Sequence, residues 1–482
     1  VNVVCDKVLI GGTWVPAERG TYPIVDPATE EVAGRAPECS VAQVRAATRA
    51  AREAFEHGPW PRMSGAERGA LLRTAAARFR ETMGSLVDLT IAETGALRPV
   101  AEAQQVGAVP LRLEKYADLA TLPPEVFAPR ETPAGVQEGV AVREPIGVVA
   151  CIVPFNFPMT NTAGKLGPAL ACGNTVVVKP PPVDPLGVAE LCRVMNEVFP
   201  PGVVSFVCGS GADVGEALVA SDDVDMITFT GSTAVGLRIQ AVAAARLKRT
   251  LLELGGKSPQ IVFADAPREK ALRGAAQVWT FHSGQICIAG TRLLVERAIY
   301  DEFTRALVGT AERIKIGDPR EPGVAMGPLV SAAQRDRVER FIRTGVEEGA
   351  TLACGGKRPA HLPKGYYVEP TLFTHARNDM TIAREEIFGP VVTAIPFADE
   401  AEAIALANDT DYGLYGYVWT GDRARGLRVA GALRTGTVQV NSGSGMNPDA
   451  PFGGYKLSGI GRDGGLYALD AYSERKYIGW TA

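Results

Sequence analysis

Four short stretches hold side chains suited to nucleophilic chemistry. Each falls at the end of a predicted strand or just ahead of a predicted helix. Gly284-Gln285-Ile286-Cys287 places a thiol after a polar turn, where it is expected to open a helix. A helix N-terminus lowers a thiol's pKa and favours the thiolate. A lone cysteine is also commonly a small buried hydrophobe. His282, just upstream, invites a Cys–His hydrolase reading, but no other His is placed to support it. Glu253 lies in the apolar run Thr250 to Leu254. A carboxylate desolvated there acquires the raised pKa that a general base near neutrality needs, whereas at a sheet edge it would simply face solvent. Asn156 sits in Pro154-Phe155-Asn156-Phe157-Pro158, a turn stiffened by two prolines. It is either a fixed donor for a developing oxyanion or an ordinary turn residue. Phe229-Thr230-Gly231-Ser232 joins a strand to a helix that Ser232 can cap, and free N–H groups there suit a phosphate. An ordinary capped turn looks the same. No Gly-Lys-Ser/Thr ending is present, and Gly209-Ser-Gly211 followed by Gly215 is not a strict GxGxxG, so neither standard nucleotide fingerprint applies.

The elements around these residues form a pattern. Residues 40–118 read as helical, with Ser40 and Ser64 as N-caps, Glu67 completing a capping box, and His57-Gly58-Pro59 as a stop. From residue 140 onward, Val- and Ile-rich runs alternate with helical stretches. Strands are expected at 146–153, 175–178, 203–207, 226–230 and 251–254, then at 260–263, 292–295, 391–397, 417–420 and 437–440. Continuous apolar strands linked by helices argue for parallel sheets covered on both faces, which bind ligands beyond their carboxyl ends. The stretch 443–465 reads as a glycine-rich loop.

Composition excludes several classes. At 482 residues the chain holds roughly three domains' worth of sequence. Fifty basic against 54 acidic residues leave no basic excess for nucleic acid. No apolar run reaches about 18 residues, so no membrane span is expected, and Val1 to Trp14 lacks a secretion-signal layout. Eight cysteines without a CxxC pair, and only four histidines, give no zinc spacing and no metal site. Cysteines inside apolar runs fit a reducing, cytoplasmic setting.

Taken in order and spacing, these stretches resemble the aldehyde dehydrogenase superfamily. So do Lys179-Pro180, Glu385-Glu386-Ile387-Phe388-Gly389-Pro390 and Pro451-Phe452-Gly453-Gly454-Tyr455-Lys456-Leu457-Ser458-Gly459. The resemblance covers roughly Ile10 to Tyr477. It implies an α/β fold with two doubly wound parallel-sheet domains and a small β oligomerisation extension. The cofactor domain would take 1–122 and 143–255, the catalytic domain 256–457, and the extension 123–142 with 458–482, around a C-terminal strand at 472–478. The resemblance further implies NAD, with NADP as the alternative, as cofactor of aldehyde oxidation to the acid. Cys287 would be the nucleophile, Glu253 the deacylating base, Asn156 the oxyanion donor and Lys165 a proton relay. Lys179 would meet the adenosine ribose, Gly231 and Ser232 the pyrophosphate, and Glu386 and Phe388 the nicotinamide end. Ile152, Pro154, Phe155, Gly209, Gly215, Phe229, Thr230, Val235 and Leu254 complete the cofactor wall. A homodimer or homotetramer built by sheet extension follows.

Five positions depart from the family pattern. Pro182 stands where NAD-preferring members commonly carry Glu. Asn161 and Gly164 replace a Met and a Trp, and Met446 an aromatic, so the mouth reads as wider and suited to a bulky or polar aldehyde. Asp463 replaces a Glu tied to the relay. Two other readings share the scaffold: a coenzyme A-acylating semialdehyde dehydrogenase, against which Glu253 speaks, and a catalytically idle member, against which the complete Cys287, Glu253 and Asn156 set speaks.

Overall fold

The computed structural model describes residues 3–443 and 447–481. One sheet has eight strands in the order Gly459–Ile460, Arg249–Glu253, Met226–Thr230, Val148–Ile152, Thr175–Lys179, Val204–Phe206, Lys7–Ile10, Thr13–Pro16. The five strands from Arg249–Glu253 to Val204–Phe206 are mutually parallel. Every residue of Val148–Ile152 and Thr175–Lys179 is buried, because helices cover both faces, and this is why the sequence shows unbroken apolar runs rather than alternation. From Val148–Ile152 the chain extends the sheet to one side, then returns to add Met226–Thr230 and Arg249–Glu253 on the other. The order reverses between Val148–Ile152 and Met226–Thr230, and a crevice opens beyond their carboxyl ends.

Both edges of this sheet differ from expectation. Lys7–Ile10 and Thr13–Pro16 form an antiparallel hairpin that the charged N-terminal sequence did not advertise. Gly459–Ile460, expected within a loop, pairs antiparallel with Leu252 and Glu253. The segment from 458 onward therefore contributes to the large sheet before it reaches the C-terminal strand.

A second sheet has seven strands in the order Thr351–Cys354, Thr371–Thr374, Val391–Phe397, Arg292–Glu296, Pro259–Val262, Tyr415–Trp419, Thr437–Val440. All pairs are parallel except the first. Val391–Phe397 and Thr437–Val440 have the bounds read from sequence, while the first two strands were not anticipated. The fold is thus α/β, with two parallel-sheet layers.

Helices Val41–Glu56 and Gly65–Thr94 begin at Ser40 and Ser64, each with a complete capping box, through Gln43 and Glu67. A third sheet stands apart. Glu125–Thr132 and Gly135–Pro145 form a hairpin, and Ser473–Thr481 adds antiparallel along the second of these strands. Val126, Tyr477, Ile478 and Trp480 are exposed on it.

Candidate active site

The loops leaving both sheets enclose one cavity of about 1590 Å³. Cys287, Glu253 and Asn156 lie on its wall, with Ile152, Pro154, Phe155, Lys179, Gly215, Phe229, Thr230, Gly231, Ser232, Val235, Leu254, Glu386 and Phe388. Two of the site residues that the resemblance implied do not. Gly209 is turned into the packing, where a side chain would meet Val214 and Glu38, and its neighbours Ser210 and Gly211 take the wall. Lys165 is buried behind it. Its ammonium donates to Thr228 Oγ1 at 3.0 Å and lies 3.6 Å from Asp463.

Asn156 is fixed from three sides. Its Nδ2 donates to the Gln285 carbonyl (2.9 Å), its Oδ1 accepts from Phe157 N–H (3.1 Å), and its own carbonyl accepts from Gln105 Nε2 (2.9 Å). One amide N–H is spoken for and the second is left over.

Cys287 does not open a helix. It lies in a turn between the short 3₁₀ turn His282–Gly284 and strand Arg292–Glu296. Long-range bonds hold this loop: Tyr417 OH donates to Ile288 O (3.0 Å), Val330 N–H to Gln285 Oε1 (2.9 Å) and Ser283 Oγ to Gly327 O (2.7 Å). Gly256 is required beside it, because a Cβ there would collide with the Cys287 carbonyl. Without a helix dipole, burial dominates and pushes the thiol pKa up to about 12. The negative charges of Glu386 and Glu253 act in the same direction. The thiol is therefore protonated at rest, opposite to the depressed pKa expected.

Glu253 ends strand Arg249–Glu253 and is 3% exposed, because Gly459–Ile460 covers what would have been a free sheet edge. Neither carboxylate oxygen has a hydrogen-bond partner among the described residues. Desolvation raises its pKa well above the usual range. Asp463 adds to this, and Lys165 and Arg462 oppose it. Of the two sequence readings, the desolvated carboxylate holds.

Glu386 is anchored by Gly256 N–H (3.0 Å to Oε1), and Arg337 donates to its carbonyl at 2.6 Å. Burial raises its pKa to about 7 against the pull of Gly256, Lys257 and Arg337. Phe388 stands edge-on to Phe155 at 5.5 Å, with its carbonyl held by Gln334. Ser232 caps helix Thr233–Ala244 through Val235 N–H, and Gly231 N–H donates to the Glu253 carbonyl at 3.0 Å. Lys179 is buried, and burial lowers its pKa.

His282 offers no base. It is 2% exposed, off the cavity wall, and packs on Phe157 at 5.3 Å. Burial pushes its pKa down to about 4, so it stays neutral and the Cys–His hydrolase reading falls. Asn161 lies on the wall, Gly164 is buried in the adjoining helix, and Met446 lies outside the described residues.

Supporting residues went unread in the sequence. Tyr417 and Gln105 act through single long-range bonds that leave no local pattern. Ser458, quoted only as part of a motif, ties Gly413 N–H (2.9 Å) to the Gly255 carbonyl (2.6 Å) and so pins the turn after Glu253. Among the described residues no cluster of three or more His, Cys, Asp or Glu is placed to hold a metal. None of their helices is long and apolar enough to cross a membrane.

Known proteins match this arrangement over almost its whole length. A sequence profile described as "Aldehyde dehydrogenase family" matches residues 14–478. The chain is 41% identical over 476 residues to betaine aldehyde dehydrogenase of Bacillus subtilis, covering 98% of this chain and 96% of that one. It is 40% identical over 477 residues to aldehyde dehydrogenase 1A1 of Oryctolagus cuniculus, with 98% and 95% covered. The NAD+ complex of an aldehyde dehydrogenase from Bacillus cereus superposes with a TM-score of 0.94 at 42% identity, over 98% of this chain and 96% of that one. Betaine aldehyde dehydrogenase from Staphylococcus aureus with NAD+ does so at 0.96 and 37%, over 99% and 95%. Fold, cavity and sequence agree: the chain belongs to the aldehyde dehydrogenase family.

Proposed function

We propose that this protein oxidises an aldehyde to its carboxylic acid with NAD, and that Cys287, Glu253 and Asn156 carry the chemistry. The observation that supports this most is the single cavity shared by a thiol, an unpartnered buried carboxylate and a fixed amide. Cys287 Sγ bonds to the aldehyde carbon as the thiol proton passes to solvent water, which leaves Glu253 ionised for the later step. The carbonyl electron pair moves onto oxygen, where the free N–H of Asn156 and the Cys287 N–H receive it. A bound nicotinamide supplies the two-electron acceptor for the hydride that leaves as the carbonyl re-forms. A thioester on Cys287 remains. Glu253 then takes a proton from water, the hydroxide attacks the thioester carbon, and the C–S bond breaks to release the acid.

The cavity suits a dinucleotide. Gly231 and Ser232 present a capped helix N-terminus to a pyrophosphate. Lys179 and Glu386 would meet the two riboses, and Phe388 would border the nicotinamide. Pro181 and Pro182 line the cavity, and Pro182 stands where NAD-preferring members commonly carry Glu, so NADP is the second cofactor tested. Lys165 and Asp463 would pass protons from behind the wall. Glu253 favours release by water over transfer to coenzyme A.

The first sheet with residues 1–122 and 143–255 would hold cofactor, residues 256–457 would hold the nucleophile, and the third sheet would join subunits of a dimer or tetramer through its exposed apolar strands. The cysteines, none in a disulfide among the described residues, fit a cytoplasmic setting. The test is reduced-nicotinamide formation by purified, reduced protein with a panel of aldehydes and either cofactor. Turnover abolished by Cys287→Ala is expected. Binding of neither NAD nor NADP overturns the reading.

A further inference from the structure

We propose that Arg112 is the anion-recognising residue of the substrate pocket and that the preferred substrates are aldehydes carrying a carboxylate. This rests on the dehydrogenase reading above and names its substrate class.

Arg112 lies on helix Ala108–Leu119 and on the wall of the same cavity as Cys287. Its guanidinium occupies the place of a missing side chain. A Cβ on Gly164 would lie 2.5 Å from Arg112 Nη1. Gly164 belongs to the helix that follows the Asn156 turn, so its lack of a side chain is what seats the cation beside that turn. Any larger residue at 164 would displace it.

Arg112 is half-buried, yet among the described residues it makes no hydrogen bond or ion pair. Other cations on or behind the wall are engaged: Lys115 pairs with Asp449, Lys165 with Asp463, and Arg337 donates to Glu386 O. The acids on the cavity wall are also accounted for. Glu216 pairs with Arg238 at 2.8 Å, Glu386 is held by Gly256, Asp463 faces Lys165, and Glu253 is the buried base. None of them reaches Arg112. Gln104, Thr160 and Asn161 on the same wall add further polar groups. A guanidinium carries five donors in a fork that matches a carboxylate. A substrate carboxylate entering the cavity would give those donors a partner. An aldehyde carrying a quaternary ammonium would instead meet an uncompensated positive charge.

The experiment compares kcat/KM for succinic, glutaric and adipic semialdehydes with butanal, pentanal and hexanal, and with betaine aldehyde, in the wild type, Arg112→Gln and Arg112→Lys. The readout is the preference ratio within each variant, so differences in folded fraction cancel. For at least one chain length the wild type is expected to favour the carboxylate over its neutral counterpart by about 10- to 100-fold, mainly through KM. Arg112→Gln should lose most of that ratio and raise the relative rate with betaine aldehyde, while Arg112→Lys should retain part of it. No preference in the wild type, or an equal ratio in Arg112→Gln, overturns the proposal while leaving the dehydrogenase reading intact. If no aldehyde of any charge is oxidised, the dehydrogenase reading fails, and calorimetry with glutarate decides the anion site. Saturable binding lost in Arg112→Gln supports it, and absent or unchanged binding overturns it.

Discussion

The amide nitrogen of Asn156 stands 2.9 Å from the carbonyl oxygen of Gln285. That bond joins the turn after strand Val148–Ile152, in the first sheet, to the loop that carries Cys287, in the second. The donor proposed for the oxyanion is therefore aligned by the loop that presents the proposed nucleophile.

Asn156→Ala removes the donor and leaves the Gln285 carbonyl without its partner. A fall in kcat of about 100- to 1,000-fold is expected, with a much smaller change in KM, because the lost interaction forms only as charge develops on oxygen. Asn156→Asp should be slower still, since a carboxylate repels the oxyanion. Steady-state kinetics with one good aldehyde checks both. A fall confined to KM would mean that Asn156 only binds the ground state.

Burial holds the Cys287 thiol pKa at about 12. Alkylation of the cofactor-free protein by iodoacetamide should therefore be slow at neutrality and rise about tenfold per pH unit through about pH 10, because only the thiolate reacts. Peptide mapping of the labelled cysteine against pH measures this. A plateau already reached near neutrality would show a thiolate stabilised in the way a helix N-terminus would have done.

The contrast at Cys287 shows where sequence reading stops. Ser64 and Glu67 were legible because a capping box is local: the two residues touch whatever surrounds them. Val148–Ile152 and Thr175–Lys179 were legible because burial on both faces demands unbroken apolar runs. The Cys287 loop takes its shape from Tyr417 and Val330, residues far away in the chain, so its expected helix did not form. The burial of Glu253 depends on the two-residue strand Gly459–Ile460, which is too short to announce itself. Gly209 and Lys165 were singled out by motif position alone, and motif position does not say which way a residue faces.

Asp184 and Glu93 predict how stability follows pH. Both are fully buried. Among the described residues neither Asp184 carboxylate oxygen has a hydrogen-bond partner, while Glu93 accepts from the Leu186 and Gly187 N–H groups. Burial raises Glu93 from 4.5 to about 8 despite those two bonds, and raises Asp184 well above the carboxylate range. As pH climbs from 4.5 toward 8 the unfolded chain loses the Glu93 proton that the folded chain keeps, so these groups make folding less favourable with rising pH. Asp184→Asn removes one of them. Its melting temperature minus that of the wild type should grow as pH rises through this window, and a difference that shrinks would reverse the assignment.

The central claim is that a thioester forms on Cys287 and that Glu253 is needed to clear it. Glu253→Gln, mixed with aldehyde and NAD, should release at most one equivalent of reduced nicotinamide per subunit and then stall. Mass spectrometry of the quenched protein should find the acyl group on the peptide holding Cys287. Sustained turnover at the wild-type rate, or an unmodified Cys287 after a full equivalent of reduced nicotinamide has appeared, would contradict it.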